Sequence, residues 1–139
     1  FDGASLGAKM VKECEPGAKI LLARAAIGNK EVTEELAKRE DLTVDDVAIY
    51  DTFYESQELI DEKGQFESGK IDCAVFTSAS TVKGFVAATP GLDDTKVLAA
   101  CIGKQTEAEA LRYGMKTAVA KEASIDSLVD LVIELKMQK

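Results

Sequence analysis

Apolar residues fall along this chain in short runs separated by stretches of helical spacing. Lys19-Ile20-Leu21-Leu22-Ala23-Arg24 is bounded by Pro16-Gly17 and Gly28-Asn29, the pattern of a buried strand. Asn29 is placed to cap a helix running to about Arg39, with Val32 and Leu36 one turn apart. Residues 44–53 carry the next strand, centred on Val47-Ala48-Ile49-Tyr50 and rich in β-branched and aromatic side chains. Residues 54–70 read as a polar, partly helical crossover, and residues 1–18 as an extra amphipathic helix.

The second half repeats the rhythm. A strand over Asp72-Cys73-Ala74-Val75-Phe76-Thr77 precedes a helix with Ser80 as its expected cap, ended by Pro90-Gly91. A strand from Lys96 to Ile102 follows, then a helix opened by Thr106 and Glu109 in capping-box spacing and closed at Gly114. Thr117 to Ala120 predicts a short edge strand. Ser124 caps a last helix with Ile125, Leu128, Val132 and Leu135 as its expected apolar stripe. Five strand-helix alternations without a hairpin signal predict an α/β fold. The expected form is one flavodoxin-like domain over residues 1–139, its five parallel strands in the order 2-1-3-4-5 with helices on both faces.

Composition narrows the function classes. The 139 residues are 46% hydrophobic, enough for a core, and 17 basic against 25 acidic side chains leave a net charge of -8. Such a balance argues against nucleic acid, whose binding rests on neutralising phosphates. No apolar run reaches the roughly 18 residues of a membrane span, so a membrane partner is not expected. No leader-like segment opens the chain, which begins at Phe1 and is read as a trimmed or excised piece. Cys14, Cys73 and Cys101 have no metal-binding spacing. Cys73 and Cys101 sit in apolar runs as reduced core thiols, pointing to a reducing cytoplasm. There is no histidine, which removes Ser-His-Asp and Cys-His chemistry and most zinc sites.

Ligands of an open parallel sheet bind beyond the carboxyl ends of its strands. Those ends carry Arg24 to Asn29, Tyr50 to Phe53, Thr77 to Ser80, Gly103 to Thr106 and Lys121 to Ser124. Several lead into helix N-termini, where amides and the helix dipole favour anions, although Ser80, Thr106 and Ser124 would also serve as plain caps. Neither GxxxxGK[ST] nor GxGxxG occurs, nor does a hydroxyl-rich loop after the first strand, so ATP, dinucleotides and FMN are not expected. A receiver domain would need an acidic pair where Arg24-Ala25-Ala26 stands. Tyr50 ends a strand, where its phenol can either donate a proton to a leaving hydroxyl or simply pack at the sheet edge.

Taken together, four stretches resemble uroporphyrinogen-III synthase. They are residues 20–25 with Val47-Ala48-Ile49-Tyr50-Asp51-Thr52; Val75 to Val82 with Phe85; Ala100 to Thr106 with Ala110 and Gly114; and Ala123 to Val129. The resemblance covers residues 19–135 and implies the carboxyl-terminal half of a normally two-domain enzyme. It implies cyclisation of hydroxymethylbilane to uroporphyrinogen III, with inversion of ring D and loss of water, and no metal or organic cofactor. Tyr50 then matches the family's proposed proton donor. Thr77, Ser78, Ser80, Lys104, Thr106 and Arg24 would hold the substrate's carboxylates. Family members are sometimes fused to a tetrapyrrole methyltransferase, which the resemblance leaves open here, and a domain-swapped dimer competes with a monomer closed by residues 19–53. The alternative function is a non-catalytic module on the same fold, either small-anion-binding or receiver-like.

Overall fold

In the computed structural model, which describes residues 2–54 and 61–137, Asp2 starts the first helix by accepting the Ser5 amide at 2.7 Å. The helix, α1, is Gly3–Glu13. It belongs to the first of two compact units, which runs to Phe53; the second begins at Tyr54. Strands β1 (Lys19–Ala25) and β2 (Thr43–Tyr50) pair in parallel from Lys19 opposite Thr43 to Arg24 opposite Ala48, and a bulge then sets Ala25 opposite Tyr50. Helix α2 (Glu31–Leu36) joins them, and Asn29 Oδ1 accepts the Glu31 amide at 2.8 Å, so the expected cap acts from one position further out.

Helices α1 and α2 approach closely because Gly7 is buried between them. A Cβ at Gly7 would lie 2.5 Å from the Glu35 Cβ. Arg39 fastens the end of α1: one guanidinium nitrogen donates to the carbonyls of Val11 and Cys14 at 2.9 and 2.8 Å. The rest of the group grips Asp41, which also accepts the Gly17 amide at 3.0 Å. Leu36 is fully buried, whereas Leu21, Val47 and Ile49 remain exposed on the strand pair.

In the second unit, α3 (Glu62–Glu67) is capped by Asp61. Strands β3 (Ala74–Phe76), β4 (Leu98–Cys101) and β5 (Lys116–Val119) form a parallel sheet in that order. Between and after them lie α4 (Ala79–Ala88), α5 (Lys104–Arg112) and α6 (Ile125–Met137). Alternation along β4 divides the core. Ala99 and Cys101 join Phe76, Val82, Val97 and Ala110 on one face, and Ala100 meets Leu128 of α6 on the other. Phe85 bridges Phe76 and Phe66 edge to face, with ring centres 5.5 and 5.6 Å away. Gly91 and Gly114 adopt positive φ of 79° and 80° where α4 and α5 have ended, a conformation glycine alone enters freely.

The α/β class and the parallel pairing agree with expectation. A single five-stranded sheet in the order 2-1-3-4-5 does not form: among the described residues the strands lie in two sheets, of two and three strands. Within these, β1 still neighbours β2 and β4 still lies between β3 and β5. The crossover expected over residues 54–70 falls partly outside the described residues and contributes α3. Cys101 is a core thiol as expected, fully buried, and burial pushes its pKa up to about 11; Cys73 is only half-buried. Ile125 is exposed rather than part of the packed stripe, because Leu131 takes its place beside Leu128, Val132 and Leu135.

Candidate functional site

The site is built where β3 and β4 end side by side. Phe76 is in register with Cys101, and one step further the Ile102 amide donates to the Phe76 carbonyl at 3.0 Å. Each chain then turns into a helix, so the N-termini of α4 and α5 open on the same carboxyl rim of the sheet. This is where a parallel sheet gathers backbone amides and positive dipole ends.

At the first of these termini Ser78, not Ser80, is the cap. Its Oγ accepts the Thr81 amide at 3.3 Å, and the Thr81 hydroxyl takes the place that Glu or Gln fills in a usual capping box. The Thr81 hydroxyl also donates to the Ser78 carbonyl at 2.7 Å. Ser80 sits inside the first turn, its hydroxyl 2.9 Å from that of Ser78. The two serines therefore present a linked hydroxyl pair just beyond Thr77. Thr81 escaped the sequence reading, although its spacing three residues after Ser78 was the available signal.

At the second terminus the expected Thr106–Glu109 capping box is absent. Gly103 is the cap and offers no side chain to the first-turn amides. Lys104 is exposed in that turn. Thr106, third in the helix, is buried at 4% exposure rather than displayed on the rim. Glu109 is nearly buried and lies 3.2 Å from Arg112. Ser124 does cap α6, accepting the Ser127 amide at 3.2 Å.

Tyr50 and Arg24 belong to the first unit. Tyr50 is 59% exposed, and its carbonyl accepts the Ala26 amide at 2.8 Å just past the bulge. Arg24 is held by Asp46 in a two-pronged pair of 2.6 and 2.7 Å, and its third nitrogen donates to the Ala25 carbonyl at 3.1 Å. The hydrogen bonds from Arg24, with its positive charge, hold the Asp46 carboxyl below the usual carboxylate range. Asp46 is the partner that sequence reasoning missed; it lies 22 positions from Arg24 in the chain, and the strand register brings the two together. Among the described residues no group of three or more His, Cys, Asp or Glu could hold a metal ion, and no helix is long and apolar enough to cross a membrane.

Comparison with known proteins decides the lineage. The family model for uroporphyrinogen-III synthase HemD matches residues 1–130. The chain belongs to the uroporphyrinogen-III synthase family. A porphyrin biosynthesis protein HemD from Ruminiclostridium josui is 30% identical over 135 residues, which are 97% of this chain and 27% of that protein. The uroporphyrinogen-III synthetase of Helicobacter pylori shares the fold with a TM-score of 0.66 at 21% identity, covering 94% of this chain and 59% of its own. The uroporphyrinogen-III synthase of Thermus thermophilus does so with a TM-score of 0.52 at 20% identity, covering 96% of this chain and 55% of its own. The chain thus spans about a quarter of the curated relative and little more than half of these synthase structures.

Proposed function

We propose that this chain carries substrate-binding and proton-donating parts of uroporphyrinogen-III synthase, which closes hydroxymethylbilane into uroporphyrinogen III with ring D inverted. Departure of the substrate's hydroxyl as water leaves an azafulvene cation. The substituted end of ring D attacks that cation, and the resulting spiro intermediate reopens and closes the other way. Rearrangement of this kind asks for shape and placed hydrogen bonds more than for a strong nucleophile, in keeping with a chain that has no histidine.

The observation that best supports this reading is the shared rim of α4 and α5, with the Ser78–Ser80 hydroxyls at one terminus and Lys104 at the uncapped other. The substrate bears eight carboxylates, whereas the chain has a net charge of -8. Helix N-termini resolve that conflict locally, since each offers about half a positive charge, and distant repulsion is screened beyond about 8 Å at physiological salt. In this reading Thr77, Ser78, Ser80, Lys104 and the Thr106 amide receive substrate carboxylates. Arg24, held by Asp46 and the Ala25 carbonyl, adds its positive charge to the binding of another. Tyr50 donates the proton that turns the departing hydroxyl into water.

Supplying enzymatically generated hydroxymethylbilane and separating the product isomers tests the proposal. Isomer III supports it. Isomer I alone, the product of unassisted closure, means that this piece is inactive by itself, and failure to bind the substrate as well rejects the proposal.

A further inference from the structure

The peptide between Ala25 and Ala26 is held at both ends. Its N–H donates to the Tyr50 carbonyl at 2.8 Å, and its carbonyl accepts Nη1 of Arg24 at 3.1 Å. The other two guanidinium nitrogens, Nε and Nη2, are gripped by Asp46 at 2.6 and 2.7 Å. Gly28 closes on this contact: a Cβ there would stand 3.7 Å from Nη1 and 3.8 Å from the Ala25 oxygen. A continuous series of polar contacts thus runs from Asp46 in β2, through Arg24 in β1, and back to Tyr50 in β2. It crosses the place where the register slips. Arg24 lies opposite Ala48 and Ala25 opposite Tyr50, so Ile49 is the extra residue of the bulge. One extra residue turns the side chains that follow it to the other side of the strand, so keeping this bulge decides where Tyr50 points.

We propose that Asp46 is a positioning residue for Tyr50: it fixes the Arg24 fork, which fixes the peptide between Ala25 and Ala26, which holds the bulge that aims the phenol. The inference rests on the reading of Tyr50 as proton donor. Arg24 by itself would swing on its long stem, whereas a two-pronged carboxylate admits one orientation of a planar guanidinium. With Nε and Nη2 fixed, planarity sets the direction of Nη1, the nitrogen that meets Ala25. A lysine has a single nitrogen and could not serve both partners in this way. Such precision matters to a proton donor, because a misplacement of about 1 Å costs on the order of 100-fold in rate.

Asp46→Asn keeps the shape of the side chain and leaves one acceptor in place of two. In the 139-residue chain, amide exchange followed by NMR should become about 10-fold faster at Ala26. It should stay unchanged at Thr43, whose amide donates to Ala18 at the start of the strand pair. Unchanged exchange at Ala26 overturns the proposal. In an active full-length parent given enzymatically generated hydroxymethylbilane, Asp46→Asn should lower kcat for isomer III about 10-fold. KM should hold, because the Arg24 charge remains. Added to Tyr50→Phe, the substitution should cause no further loss. Losses that multiply, or a change confined to KM, overturn the proposal and leave Tyr50 its role. Tyr50→Phe at an unchanged rate removes that role, and the proposal with it.

Discussion

The Ile102 amide donates to the Phe76 carbonyl at 3.0 Å, one step beyond the last residues of β4 and β3. That bond levels the two strand ends, so α4 and α5 begin at a common rim. The small unpaired reach from Phe76 to Ser78 and from Ile102 to Lys104 is what turns two caps into one candidate anion site.

Ser78 and Ser80 should separate by stability. Ser78→Ala removes the α4 cap and should cost about 1 kcal/mol of unfolding free energy, whereas Ser80→Ala should cost less than about 0.5. Urea unfolding of the two variants measures both. Equal losses would mean that Ser78 is not the operative cap.

Gly7→Ala should destabilise the first unit by about 1–3 kcal/mol, although alanine is the better helix former. The new methyl would meet the Glu35 side chain and the Val32 backbone, the latter at 3.2 Å. A thermal melt showing stabilisation would contradict the close helix approach.

Acid should loosen the first unit before neutral pH does anything. Asp41 is held well below the usual carboxylate range by its hydrogen bond from Arg39, then by that from the Gly17 amide, and Asp46 is lowered by Arg24. Because these folded-state values lie below the unfolded ones, the stabilisation is complete above about pH 5 and is lost as pH falls through the folded values. Urea midpoints should be flat from pH 6 to 8 and fall below about pH 4. Asp41→Asn should flatten part of that decline.

Thiol chemistry should report the core. Cys101 is fully buried, and its thiol is raised to about 11 by burial and then by the Glu107 charge. At pH 8 an aromatic disulfide reagent should spare Cys101 until denaturant is added. Labelling of Cys101 in the folded protein, located by peptide mass, would place it elsewhere.

Local signals in the sequence were legible wherever one residue type had one physical use. Pro90-Gly91 and Gly114 ended helices, Ser124 capped α6, and alternating apolar runs marked all five strands. Competing signals misled. Ser78 and Ser80 are both good caps, and only the extended backbone at Ser78 selects it. Thr106 and Glu109 have capping-box spacing, yet Gly103 already starts the helix, so both fall inside it. The split into two sheets was not legible, because strand runs in sequence do not name their partners. The Arg24–Asp46 pair was hidden for the same reason, since register between β1 and β2 creates it.

Tyr50→Phe leaves packing almost unchanged and removes only the phenolic hydroxyl, so it tests the central claim most directly. With enzymatically generated hydroxymethylbilane and isomers resolved, the test is made in an active full-length parent, which should form isomer III. Tyr50→Phe should slow that formation by about 10–100-fold without weakening substrate binding. Isomer III made at an unchanged rate by the variant would contradict the account.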